Sequence, residues 1–254
     1  MVVNGGVGPV APERSALAPG PGGPEELRQR LALALDFDDL VVAMRWAARM
    51  KGSFGVAKVG LELFSAAGPA VVAALLEEGF KVFIDLKFAD IPTTTRKGAR
   101  VLGALGASYL TLHVSAGPST LRAGVEGFAE GAERGGLPAP VALGVTILTS
   151  EVDAPRDLLR ARVKAAADAG CGGIVCAAPD LAVAKLVAPH LLAAVPGIRL
   201  PGRGRHDQGR AATPAEAARA GADLLVIGRA VTEAADPEAA VEEIVAELAS
   251  VGAV

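Results

Sequence analysis

The chain has 254 residues, 51% hydrophobic and 21% charged, enough to bury one large core and close to the ~250 residues typical of a (β/α)8 barrel. Lys and Arg number 25 against 28 Asp and Glu, a net charge of -3, which excludes the basic field that holds nucleic acid non-specifically. Charge or glycine interrupts each apolar stretch well before about 18 residues, so no membrane-spanning helix is expected.

Residues 1–24 are rich in Gly, Pro and Ala and lack the charged and apolar regions of a secretory signal, so a disordered arm on a cytoplasmic protein is expected. One catalytic domain is expected over 25–254. From Leu31 onward, short apolar runs alternate with longer stretches of helical periodicity, the pattern of βα units around a parallel sheet. Strands are predicted at 31–37, 55–60, 81–87, 109–115, 141–148, 173–177, 197–200 and 223–228. They are nearly continuous in Val, Ile, Leu and Ala, as expected where helices cover one face and a packed barrel interior fills the other. Ahead of the last strand, Thr213-Pro214-Ala215-Glu216 reads as a helix start, with an N-cap, a proline at the first helical position and an acid. An open doubly wound sheet would normally carry a glycine fingerprint after its first strand, but Asp38-Asp39-Leu40 follows here. The predicted fold is therefore a single-domain α/β (β/α)8 TIM barrel, with its site at the carboxyl ends of the strands.

Asp36, Lys58, Asp85 and Lys87 all fall at predicted strand ends, where an unpaired charge is costly to desolvate. Residues i and i+2 of a strand share a face, so Asp85 and Lys87 are expected to point together into the barrel mouth while Ile84 and Leu86 face the helices. Singly, each charge has an ordinary explanation. Asp90 before Ile91-Pro92 suits a helix N-cap, Lys87 a surface charge and Asp36 a turn. Together they place two charges of each sign around one mouth, with a further carboxylate three residues after Lys87, an array that favours a lysine in its ammonium form.

Toward the end of the chain, 201–209 is a Gly- and Arg-rich loop and Ile227-Gly228-Arg229 closes the last strand, where many barrels bind phosphate through backbone N–H groups. Arg229 can add a bidentate charge-assisted contact, whereas Arg203 and Arg205 read equally well as a solvated basic loop. Cys171 and Cys176 match neither a redox pair nor a zinc set and read as small buried side chains. His113, His190 and His206 lack the spacing of a helical zinc site. Neither metal nor cofactor is expected.

With Leu35-Asp36, Lys58-Val59-Gly60-Leu61-Glu62-Leu63-Phe64, Asp85-Leu86-Lys87-Phe88-Ala89-Asp90-Ile91-Pro92, Val145-Thr146-Ile147-Leu148-Thr149-Ser150, Pro196-Gly197-Ile198-Arg199, Asp207-Gln208 and Val226-Ile227-Gly228-Arg229 in this order, the chain resembles the orotidine 5'-phosphate decarboxylase family over roughly 31–246. The resemblance implies conversion of orotidine 5'-phosphate to UMP in de novo pyrimidine synthesis, by a homodimer without metal or cofactor. It makes Lys87 the general acid that protonates C6, sets Asp85 against the substrate carboxylate and gives Lys58 and Asp36 the ribose hydroxyls. Asp90 and Thr94 would reach into the partner's site and Thr149 would meet the pyrimidine edge. Gln208, Gly228 and Arg229 would hold the phosphate under a closing loop over 202–210, with Arg199 in the same substrate-binding set. The departures from the family pattern, at Ala89, Thr93 and Ala116-Gly117-Pro118, touch none of these residues.

Loss of carbon dioxide leaves an electron pair on C6 that the ring delocalises poorly, and a fixed ammonium answers that charge before donating its proton. A magnesium-dependent sugar-phosphate decarboxylase or aldolase is the nearest alternative, but such barrels tend to place a metal-binding Glu where Lys58 stands, and an ammonium repels a cation. A Schiff-base aldolase would need Lys87 as the free amine, which its flanking carboxylates oppose. A silent nucleotide-binding barrel would have no need of the whole charged array.

Overall fold

The structure is a computed structural model that describes residues 23–151, 154–201 and 210–252. A short helix, α1 (Pro24–Gln29), leads into β1 (Leu31–Ala34), followed by α2 (Leu40–Met50), β2 (Val56–Val59), the consecutive helices α3 (Leu61–Ala67) and α4 (Ala70–Glu77), and β3 (Lys81–Phe88). The alternation continues through α5 (Pro92–Ala104), β4 (Tyr109–His113), α6 (Pro118–Arg134), β5 (Val141–Val145), α7 (Arg156–Asp168), β6 (Gly173–Val175) and α8 (Leu181–Val187). It ends with β7 (Leu192–Val195), α9 (Pro214–Arg219), β8 (Leu224–Ile227), α10 (Arg229–Thr232) and α11 (Pro237–Ala249). Among the described residues the strands form a closed barrel in sequence order, β8 returning to β1 in parallel through Leu31 opposite Leu225 and Leu33 opposite Ile227. This is the expected TIM barrel. The expected disordered arm lies, through residue 22, outside the described residues.

The two-residue period of the strands sorts their side chains. Leu31, Leu33, Val82, Ile84, Leu110 and Leu112 pack outward into the layer shared with the helices. Ala32, Ala34, Val56, Phe83, Tyr109, Leu143, Ala194, Leu224 and Val226 fill the barrel. Alanines on β1 and β7 give space to the rings of Phe83 and Tyr109, whose centroids lie 5.9 Å apart. The interior is thus packed, and a ligand has room only above it.

One predicted strand is displaced. The seventh is Leu192–Val195 and not 197–200, because Pro196 has no N–H with which to continue a ladder and β6 sets Gly173 opposite Leu192. The Leu-Leu-Ala-Ala run has helical propensity, which pairing between β6 and β8 overrides. Ile198 instead makes an isolated bridge with Ala212, in which the Arg199 N–H donates to the Ala212 carbonyl at 2.9 Å. The other strands fall where predicted. β1 and β5 stop at Ala34 and Val145, short of the ends of their apolar runs, and the residues that follow line the barrel mouth.

The predicted helix start at Thr213 is a full capping box: the Thr213 side chain accepts from the Glu216 N–H and the Glu216 carboxylate from the Thr213 N–H. On the opposite side of the barrel, α5 and α6 approach so closely that glycines occupy their contact at Gly103, Gly127 and Gly131. Thr120 of α6 and Thr95 of α5 both donate to the Asp90 carbonyl, at 3.0 and 3.3 Å, which ties the start of α5 to its neighbour. No helix among the described residues is long and apolar enough to cross a membrane.

Candidate active site

Asp36, Lys58, Asp85, Lys87, Thr149, Arg199, Gly228 and Arg229 line one pocket at the carboxyl ends of the strands, over an apolar floor that includes Ala34, Phe83 and Val226. Four of the predicted charges form a continuous chain of alternating sign. Lys58 Nζ lies 2.9 Å from Asp36 Oδ1 and 3.8 Å from Asp85 Oδ2, and Lys87 Nζ lies 3.0 Å from Asp85 Oδ1. Burial decides which members depend most on their partners. The side chains of Lys58 and Asp85 are only 10% and 16% exposed, against 36% for Lys87 and 56% for Asp36. Removing either inner member would strand a buried charge, whereas the outer two keep access to water and to a ligand.

The local sequence makes this chain of charges possible. A Cβ on Gly60 would sit 3.0 Å from Asp36 Oδ1 and 3.2 Å from Lys58 Nζ, so the glycine of Lys58-Val59-Gly60 leaves the ion pair its space. At Gly228, an added Cβ would meet the Ala34 Cβ at 3.3 Å, so this position has room for little beyond glycine.

Strand alternation alone was expected to turn Asp85 and Lys87 the same way, but β3 is irregular at this point. Ile84 pairs with Leu110 and Phe88 with Leu112, so four residues of β3 advance over two of β4. Within that bulge Lys87 has φ 49°, the left-handed region that a residue with a Cβ enters at a cost of about 1–3 kcal/mol. A bulge beside a site re-aims a side chain, and here it turns Lys87 toward the carboxylate of Asp85. Leu86 packs against the outer hydrophobic layer as expected.

Asp90 and Thr94 do not line this pocket; both are exposed at the start of α5. The Asp90 carboxylate accepts from the Ile91 N–H at 2.6 Å, and the N-cap of α5 is Ile91, so Asp90 is not the helix cap its sequence position also suited. Gln208, with Arg203, Arg205 and Asp207, lies outside the described residues. Of the expected closing loop only Arg210 is described. It pairs with Asp180, which follows β6, and both side chains are nearly buried, at 13% and 11% exposure. Sequence reasoning missed this pair, and also Thr111, whose hydroxyl touches both Asp85 and the Lys87 backbone. Thr111 is a polar residue within the apolar strand β4, and Asp180 a carboxylate just beyond β6, and those were the available signals.

Cys176 lines the pocket from the end of β6, while Cys171 lies in the outer layer; both are free and buried, and burial pushes both thiols up to about 12. Because the thiolate is the reactive form, native protein at about pH 8 is expected to react negligibly with Ellman's reagent, and unfolded protein to titrate both cysteines. Rapid reaction of the native protein would mean that the pocket floor opens.

The match to known proteins is extensive. A family model described as orotidine 5'-phosphate decarboxylase / HUMPS family matches residues 29–244. The orotidine 5'-phosphate decarboxylase of Anaeromyxobacter sp. (strain K) is 41% identical over 223 residues, covering 87% of this chain and 98% of that protein. The protein of the same name from Synechococcus sp. (strain WH7803) is 45% identical over 223 residues, covering 83% and 91% respectively. Among solved structures, orotidine 5'-phosphate decarboxylase from Lactobacillus acidophilus superposes with a TM-score of 0.72 at 31% identity, covering 85% of this chain and 97% of that one.

Proposed function

The chain belongs to the orotidine 5'-phosphate decarboxylase / HUMPS family, and from this premise we infer that it decarboxylates orotidine 5'-phosphate to UMP in pyrimidine biosynthesis. The observation that carries this reading is the alternating array Asp36, Lys58, Asp85, Lys87 around a single pocket. In the proposed reaction the bond between C6 and the carboxylate breaks, carbon dioxide departs and its electron pair stays on C6. A proton from Lys87 Nζ then forms the C6–H bond, and solvent returns a proton to the amine. Asp85 lies against the substrate carboxylate, and Lys58 and Asp36 hold the ribose hydroxyls. Because Lys87 is already held at 3.0 Å from Asp85, its charge needs little reorganisation as negative charge appears on carbon.

The remaining assignments belong to the same proposal. Thr149 meets the pyrimidine edge, Gln208, Gly228 and Arg229 form the phosphate end, with a charge-assisted bond from the Arg229 guanidinium, and Arg199 belongs to the same substrate-binding set. Phosphate binding energy, gained several bonds from C6, orders the site and so raises the rate as well as the affinity. A homodimer completes two such sites, Asp90 and Thr94 of each chain entering the other's pocket. The exposure of both residues, beside Ile91 at 66% exposure, supports an interface there. Substrate and product are phosphorylated and membrane-impermeant, which fits a cytoplasmic enzyme.

Metal independence rests on Lys58, whose ammonium lies between Asp36 and Asp85 where a divalent ion would otherwise draw on both carboxylates. The test is ultraviolet monitoring of orotidine 5'-phosphate with purified protein and a chelator. Loss of the orotate chromophore with UMP as product, unaffected by chelator, is the expected result. Failure of a folded dimer to convert it would overturn the reading, and a rate abolished by chelator would overturn the role of Lys58.

A further inference from the structure

Thr111 belongs to the inward-facing set of β4, one step above Tyr109, and is fully buried at 0% exposure. An inward hydroxyl in an otherwise apolar barrel layer requires partners. Thr111 has two, and both belong to the segment that carries the reacting lysine. Its Oγ1 accepts from the Lys87 backbone N–H at 2.8 Å and donates to Asp85 Oδ1 at 3.1 Å. Asp85 Oδ1 is also the oxygen that Lys87 Nζ reaches at 3.0 Å. One hydroxyl therefore holds Lys87 from both ends, directly at its backbone and through a shared carboxylate oxygen at its ammonium.

The position of this contact in the sheet gives it weight. The β3–β4 register breaks between Ile84 and Phe88, and Lys87, at φ 49°, lies inside the break. Its N–H is bonded to a side chain there, and a left-handed conformation at a residue with a Cβ persists only where surrounding contacts over-determine it. Asp85 gains as well. With Thr111 donating to Oδ1 and Lys58 facing Oδ2 at 3.8 Å, each oxygen of the carboxylate has a partner besides Lys87, so its plane is fixed.

We propose that Thr111 is a positioning residue for decarboxylation, its hydroxyl setting the backbone of Lys87 and the carboxylate of Asp85 so that the Lys87 ammonium is aimed at the reacting carbon. The proposal rests on the reading of Lys87 as proton donor. Loss of aim at the transition state lowers kcat, while binding of a product that lacks the carboxylate depends on the ribose and phosphate contacts and is spared.

The experiment compares Thr111→Val, which keeps the shape and removes both hydrogen bonds, with Thr111→Ala and Thr111→Ser. For each, kcat, KM, UMP affinity and thermal midpoint are measured beside Lys87→Ala. Thr111→Val is expected to lose about 10–100-fold in kcat, the equivalent of one hydrogen bond to a charged group, with UMP affinity within about threefold. Thr111→Ser is expected to recover most of that loss. Should the valine protein fold poorly, Thr111→Ala reads the same split between kcat and UMP binding. An unchanged kcat in Thr111→Val, or equal losses in kcat and UMP affinity, would overturn the positioning role while Lys87→Ala remains inactive. An active Lys87→Ala would sink the reading beneath it as well, and so tells the two failures apart.

Discussion

A Lys87→Ala enzyme is expected to lose at least about 10⁴-fold in kcat, because in the proposed reaction Lys87 is both the general acid and a preorganised charge. UMP affinity should change far less, since the ribose and phosphate contacts are assigned to other residues. The protein should remain folded. Lys87 is the more exposed member of its ion pair, and Lys58 still faces Asp85 at 3.8 Å, so the buried carboxylate keeps a cation. Lys87→Arg separates the two contributions. A guanidinium keeps the charge but does not release a proton, so this variant is expected to stay at least about 10²-fold below the parent. Measurement of kcat, of UMP binding by calorimetry and of thermal midpoints decides the matter. Turnover within tenfold of the parent in a folded Lys87→Ala protein would place the proton donor elsewhere in the pocket.

Gly131→Ala is expected to cost about 3 kcal/mol of stability, lowering the thermal midpoint by roughly 6–12 °C for a domain of this size. In isolation the change should help, since alanine is favoured over glycine in a helix interior by about 1 kcal/mol. Packing reverses the sign. A Cβ on Gly131 of α6 would overlap the carbonyl oxygen of Arg100 and approach the Ala104 nitrogen of α5 to 2.8 Å. Backbone atoms cannot swing aside as a side-chain tip can, so the two helices must separate. Gly103 of α5 faces the backbone of Phe128 and Ala132 in the same way, so the close approach is reciprocal. Gly52→Ala is the control, a glycine with nothing within 4 Å of an added Cβ, expected to stay within about 0.5 kcal/mol. An unchanged midpoint in Gly131→Ala would mean that the α5–α6 contact yields freely. α6 also holds the segment that leads into α5, because Thr120 donates to the Asp90 carbonyl.

Much of the site was legible because its chemistry contradicts its surroundings. Asp36, Lys58, Asp85 and Lys87 are charges in strand-end runs of Leu, Val, Ile and Phe, and two of them, Lys58 and Asp85, are so buried that solvation alone would not keep them. The seventh strand was misplaced for the opposite reason. Leu-Leu-Ala-Ala contradicts nothing as a helix, and only its neighbours β6 and β8 make it a strand. Asp90 illustrates a third case. Its two explanations, helix cap or reacting-site carboxylate, cannot be told apart in the sequence, and the backbone decides against the cap.

The sequence by itself determined the layer architecture, the end of the barrel at which the charged residues gather and the sign of each charge placed there. These follow from patterns local to the chain: short apolar runs alternating with stretches of helical periodicity, and charges that interrupt the apolar runs at their ends. Only the tertiary structure decided how Lys87 is aimed. That depends on the unequal advance of β3 against β4, the left-handed backbone it forces and the Thr111 hydroxyl that holds it, and Thr111 lies 24 residues away in the chain. The same holds for Asp180 with Arg210 and for the glycines between α5 and α6, where a partner distant in sequence sets the energy of a residue that locally has many alternatives.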